Sequence, residues 1–163
     1  LFTKWLNRIT KGTIKIMIFS KLMDKLGRRR VITERDSDVP YLVRYYVFLK
    51  DRNNFPFNIT LHKVLVSDEP VLHDHPWSYA TFIIKGGYWE NTPNGRFWRG
   101  PGHFRYRKAD DTHWLELDKD ENGNEIPCWS LFFMGRKAGA WGFLKNGVWI
   151  HNKDYLAKGV KHD

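Results

Sequence analysis

Residues 72–87 read LHDHPWSYATFIIKGG, with His73 and His75 opening an apolar run that closes on Gly86-Gly87. Side chains of an extended chain alternate between faces, so residues i and i+2 point the same way. Two imidazoles on one face form half of a metal-binding claw, because neutral histidine is the commonest nitrogen ligand for Zn, Fe, Cu and Ni. A third imidazole is available at His113, in the strand-like segment DDTHWLEL. A pair joined by a distant single histidine builds a three-histidine site inside a barrel.

Outward from this stretch the chain reads as strands. VITER, YLVRYYVFL and FNITLHKVLV precede it; RFWRG, HFRYR, HWLELD, PCWSLFFMG, AWGFLK and VWIH follow. Asn-Gly pairs at 94–95, 122–123 and 146–147 each lie between two such runs. Asn-Gly favours tight hairpins because both residues tolerate positive φ. Repeated hairpins mean antiparallel pairing, and roughly ten short strands with turns every 8–12 residues describe an all-β sandwich or closed barrel. The expected organisation is an N-terminal helical extension over residues 1–30 and one β-barrel domain over 31–163.

The net charge of +9 is concentrated at one end. Residues 1–50 carry twelve Lys/Arg against four Asp/Glu, whereas 51–163 carry fifteen against fourteen. Lys4, Arg8, Lys11 and Lys15 recur at helical spacing, and Phe2, Trp5, Ile9, Ile16 and Met23 mark another side. A basic amphipathic helix of this kind contacts an anionic membrane or nucleic acid. Its ordinary alternative is an apolar stripe packed on the barrel with solvated lysines.

Other features narrow the class. No run approaches 18 apolar residues, so a membrane span is not expected. The single cysteine, Cys128, has no internal partner and reads as a buried small hydrophobe in a reducing, cytoplasmic compartment. Trp77, Trp98, Trp114, Trp129, Trp141 and Trp149 are expected to fill the barrel core and plug its ends. Asp74 alternates away from the histidine pair and is a candidate acceptor for one imidazole, while Glu90 is a remote candidate for a fourth ligand. Tyr79 is in phase with His75 if the strand runs without a bulge. His62, on a neighbouring strand, faces either the cavity or the core. His103, His151 and His162 carry no pairing signal.

These residues resemble the cupin superfamily, whose first motif reads G-x5-H-x-H-x3,4-E-x6-G. His73, His75 and Gly87 occupy motif positions, and Ala80 stands in the place of the glutamate. The second motif is degenerate, with Pro101-Gly102 far upstream of His113 and no asparagine after it. Among cupins the chain is similar to three-histidine thiol (cysteine) dioxygenases, which lack that glutamate. The resemblance implies a jelly-roll barrel, His73, His75 and His113 as metal ligands, and Arg44 by position as a substrate-binding arginine. It does not extend to the family's Cys–Tyr crosslink or its Ser-x-His-x-Tyr relay, since His151 and Tyr155 are four residues apart.

Three neutral imidazoles leave open positions on a metal, where a small polar substrate and a second ligand bind side by side. Fe(II) is the favoured ion, and Zn, Ni, Mn and Cu suit the same donors. The expected function is that of a mononuclear metal-binding cupin, an iron-dependent oxygenase with Arg44, His62 and Tyr79 positioning the substrate. Alternatives are a non-catalytic small-ligand-binding cupin and a sugar isomerase or epimerase of the same fold.

Overall fold

The computed structural model describes residues 2–34 and 38–157, with side chains described from residue 14 onward. The described chain forms helix α1 (Phe2–Lys25), twelve strands and a short helix α2 (Asn152–Ala157). The strands are β1 (Arg29–Thr33), β2 (Pro40–Tyr46), β3 (Asn58–Val64), β4 (Leu72–His73), β5 (Trp77–Lys85) and β6 (Tyr88–Thr92). They continue as β7 (Gly95–Arg99), β8 (Phe104–Arg107), β9 (Trp114–Leu117), β10 (Cys128–Lys137), β11 (Gly142–Lys145) and β12 (Val148–His151). Every pairing between them is antiparallel. The architecture is the expected all-β jelly roll of cupin type. Its strands fall into three sheets, β1-β2-β3-β10-β5-β8, β12-β11-β4 and β7-β6-β9, rather than one closed sheet.

Period-2 burial gives the large sheet two working faces. Along β10, Cys128, Ser130, Phe132 and Met134 are buried while the residues between them are partly exposed. Inward-facing Leu42, Val64, Ile83, Tyr88, Leu117 and Cys128 make the main core. Burial alone pushes the Cys128 thiol up to about 12, which keeps it protonated and inert. The opposite face carries Val43, Tyr45 and Leu61, and α1 covers it with Phe19 and Met23. Met23 sits at 9% exposure and contributes on the order of 1.5–3 kcal/mol by burial.

Among the described side chains of α1, Phe19 and Met23 are those that pack on the sheet. Ile14, Met17, Ile18 and Leu22, on a neighbouring stripe, are 49–63% exposed. Lys15 is exposed as expected. The side chains of Phe2, Lys4, Trp5, Arg8, Ile9 and Lys11, and the whole of His162, lie outside the described residues.

The three Asn-Gly pairs behave differently. At 146–147 both residues take positive φ (52° and 76°), the two-residue turn that joins β11 to β12. At the β6–β7 hairpin the loop is Pro93-Asn94, and Gly95 opens β7 at φ 127°. The hairpin expected at 122–123 does not form, because β9 pairs with β6 and β10 with β3 and β5. The Asp120 carboxylate instead accepts from the Asn122 and Asn124 N–H groups (2.9 and 2.8 Å), so the segment is a local turn closed by one Lys119–Glu125 bridge.

Gly86-Gly87 is required by geometry. Gly86 has φ 74°, and a Cβ there would lie 2.5 Å from the Pro127 carbonyl oxygen. At Gly87 it would lie 2.5 Å from the Trp98 ring. The tryptophans correct the sequence reading: none belongs to the buried core, and Trp98 and Trp149 are 40% and 45% exposed. Aliphatic residues, tyrosines and Phe132 fill the interior instead, while Trp77 and Trp129 pack against its edges and Trp77 and Trp141 line the cavity.

Candidate metal centre

His73 ends β4, while His75 lies in the break before β5 rather than on a continuous strand. The alternation nonetheless survives in the backbone hydrogen bonds. His73 and His75 donate to His113 and Ala109 on one side, and Asp74 donates to Gly142 on the other. His113 stands just before β9 and its amide donates back to the His73 carbonyl. The two imidazoles of the pair consequently meet the third.

The ring centroids form a nearly equilateral triangle, at 5.4 Å for His73–His75 and 5.2 Å for each to His113. One donor nitrogen from each residue lies within 4.8 Å of the others, a group able to hold a metal ion. His75 Nε2 and His113 Nε2 are 2.9 Å apart, and the Tyr79 hydroxyl is 2.9 Å from His113 Nε2. Tyr79 is buried with its ring 4.6 Å from that of His75, so the expected phase holds.

Neighbouring acceptors set the tautomers. His113 Nδ1 donates to Glu90 Oε1 at 3.1 Å, and His73 Nδ1 contacts the Val71 carbonyl at 3.3 Å. Each contact places the proton on Nδ1 and leaves an Nε2 lone pair for an ion, as in metal sites whose histidines are oriented by an outer acceptor. Burial holds His73 below its usual pKa, partly opposed by Asp68. Burial and then the neighbouring His113 hold His75 well below it. Neutral imidazoles are the metal-binding form.

Glu90 corrects the sequence reading: it stands behind His113 and is not placed as a ligand. It is 2% exposed and accepts from Arg107 Nε and Arg99 Nε, both at 2.8 Å. Burial raises its pKa, but the hydrogen bonds from His113 and Arg107 outweigh that and hold the carboxyl well below the usual range. Asp74 is also corrected. Its carboxylate accepts from the Gly142 amide (2.6 Å) and Trp149 Nε1 (2.8 Å), tying the β11–β12 hairpin to β4 rather than orienting an imidazole.

The histidines line a cavity of about 320 Å³ that also presents Arg44, His62 and Tyr79. His62 is buried and stacks on Phe132 at 4.6 Å. Its Nε2 accepts from Arg44 Nε (3.1 Å) and lies 3.0 Å from Thr60 Oγ1. Burial and then the adjacent Arg44 charge push its pKa well down, so it is neutral. His62 thus faces the cavity through side-chain partners, not through a backbone carbonyl as a core histidine would. His103 and His151 lie outside the triangle.

Sequence reasoning missed Arg99, Arg107, Asp68 and Tyr41. Asp68 Oδ2 stands 3.9 Å from His73 Nε2, and Tyr41 donates its hydroxyl to Asp68 Oδ1. The alternation of YLVRYY already puts Tyr41 and Arg44 on opposite faces, so no local pattern announces their shared cavity.

Comparison with protein-family models and with curated protein sequences finds no match. Among solved structures, the polyketide cyclase RemF from Streptomyces resistomycificus is similar at 14% identity, over 68% of this chain and 78% of that one, with a TM-score of 0.50. An RmlC-like cupin protein from Ralstonia eutropha is similar at 13% identity, over 79% and 78%, with a TM-score of 0.49. At such identities the likeness concerns the fold. No helix among the described residues is long and apolar enough to cross a membrane.

Proposed function

We propose that this chain is a mononuclear metalloprotein in which His73, His75 and His113 hold Fe(II), acting as an oxygenase on a small polar, anionic substrate. The observation that carries the reading is the imidazole triangle itself, in which acceptors at Nδ1 leave the Nε2 atoms of His73 and His113 for an ion. The donor set fits: three imidazole nitrogens close together at the wall of a cavity. Bound iron would supply open coordination positions and Lewis acidity.

The chain's own residues would do the rest. Arg44 presents a half-buried guanidinium to the cavity, kept in place by its Nε–His62 bond and a hydrogen bond with the Tyr46 side chain. A guanidinium facing the cavity selects an anionic group on the substrate. The Tyr79 hydroxyl, at hydrogen-bond distance from His113 Nε2, is placed to donate to a ligand beside that nitrogen. Glu90 holds His113 in its binding tautomer.

Elemental analysis of protein purified without chelators, beside the His73→Ala/His75→Ala double variant, tests the reading. About one equivalent of metal that the variant loses, with oxygen uptake on small anionic substrates by the iron form, is the expected result. Failure to bind Fe(II) under anaerobic loading would overturn the metalloprotein. Metal binding without oxygen uptake would leave a small-ligand-binding barrel.

A further inference from the structure

We propose that the outward side of helix α1, with the uncovered half of the sheet face beside it, is a docking surface for an anionic lipid membrane. The inference stands apart from the metal centre, which lies on the other side of the large sheet. Helix α1 is apolar on two sides. Phe19 and Met23 pack on the sheet. Ile14, Ile18, Leu22 and Leu26 recur every fourth residue along another side, with Met17 beside them, and all five are 49–63% exposed. Scattered apolar residues on a surface are ordinary, but a contiguous stripe marks a contact.

Strand register carries the apolar surface past the helix. Residues paired across antiparallel strands share a face. Tyr45, Leu61, Leu131, Phe82 and Phe104 therefore form one row across β2, β3, β10, β5 and β8. Ile59, Phe133, Ala80 and Tyr106 form the next. Helix α1 covers the Tyr45–Leu61 end. At the other end Phe104 and Tyr106 are 59% and 58% exposed. Neither row holds an acidic residue.

Charge decides what this surface fits. Lys15, Lys21, Lys25, Arg29 and Arg30 are exposed on or just after α1, and Asp24 is the one acid among residues 14–30. The sequence of α1 adds Lys4, Arg8 and Lys11 and no further acid. A second copy related by a two-fold axis would set this cationic patch against itself, a like-charge juxtaposition that disfavours a dimer here. Nucleic acid would satisfy the lysines through its phosphates and leave the aliphatic stripe in water. An anionic bilayer takes both. The apolar side chains enter the boundary between headgroups and acyl chains, and the lysine stems lie along them while their ammonium groups reach lipid phosphates.

The test is flotation of the full chain with phosphatidylcholine vesicles, with and without about 30% phosphatidylglycerol, beside the double variants Ile18→Ser/Leu22→Ser and Lys21→Gln/Lys25→Gln. All four positions are exposed, so both variants should melt close to wild type. The expected result is binding to the anionic vesicles alone, weakened at least about tenfold by either pair and by high salt. A wild-type chain that does not float with anionic vesicles overturns the proposal. So does binding that Ile18→Ser/Leu22→Ser retains in full, which is electrostatic adsorption without a seated stripe. Light scattering and a labelled oligonucleotide identify the other occupants. A dimer that Ile18→Ser/Leu22→Ser dissociates, in a chain that ignores vesicles, assigns the stripe to a second copy instead. Oligonucleotide binding without flotation, lost in Lys21→Gln/Lys25→Gln and intact in Ile18→Ser/Leu22→Ser, assigns the face to nucleic acid instead.

Discussion

The backbones of His73 and His113 exchange both hydrogen bonds, each amide donating to the other's carbonyl at 3.0 Å. The pair joins the β12-β11-β4 sheet to the end of β9 in the β7-β6-β9 sheet. Two imidazoles from distant parts of the chain are thus fixed by main-chain geometry before any ion binds, which lowers the ordering cost of a metal site.

His113→Ala should lose metal with little effect on the exchanged backbone bonds, which need no side chain. The expected outcome is at least a hundredfold weaker binding in a chelator competition and a melting curve that stays cooperative. Full occupancy in this variant would remove His113 from the donor set.

Glu90→Gln should damage both stability and the site. It leaves Arg99 and Arg107 buried without their anion, a loss of about 3–5 kcal/mol by the usual cost of breaking a buried pair. It also weakens the acceptor that sets the His113 tautomer, lowering metal affinity by roughly 10–100-fold. Denaturant unfolding of metal-free protein measures the first effect and competition titration the second.

Stability should fall as pH drops below about 6.5, the value for an unfolded histidine. Burial and then Arg44 hold the folded pKa of His62 well below that value. Between the two values the unfolded chain binds a proton and the folded chain does not, so stability rises with pH there and is fully present above about 6.5. His73 and His75 act with the same sign. Midpoints of urea unfolding between pH 5 and 8 should trace this slope, and His62→Gln should make it shallower. A slope unchanged by His62→Gln would mean that His62 does not contribute.

Asp74→Ala should loosen the β11–β12 hairpin without touching the imidazoles. Loss of the bonds to the Gly142 amide and Trp149 Nε1 costs about 1–2 kcal/mol. Hydrogen exchange should quicken first in residues 142–151, and metal affinity should change little. A large loss of affinity would instead tie Asp74 to the site.

How much of this was legible in the sequence depended on the range of the contact. Strand alternation and turn chemistry are local, so the antiparallel strands, the β11–β12 turn and the shared side of His73 and His75 follow from neighbours in the chain, whereas the jelly roll and the ligand role of His113, 38 residues from His75, came with the cupin resemblance. The Asn122-Gly123 pair misled because turn chemistry fixes a bend but not which strands flank it, and strand pairing here crosses between sheets. Glu90 with Arg107, and Asp68 with Leu115, are pairings 17 and 47 residues apart that no spacing rule anticipates. The tryptophans misled for another reason: an indole is hydrophobic enough to suggest core yet large enough that the narrow interior is filled by Ile83, Leu117 and Tyr88 instead.

Among its described side chains, helix α1 meets the outer face of the large sheet through Phe19 and Met23. Those contacts shield Tyr45 and Leu61, residues whose burial has nothing to do with the cavity on the other side of the strands. A chain trimmed to begin at β1 would keep every histidine and still expose a flat aromatic patch on paired strands, the kind of surface that drives aggregation. The helix therefore covers the outer face of the sheet, while the cavity lies on the opposite face.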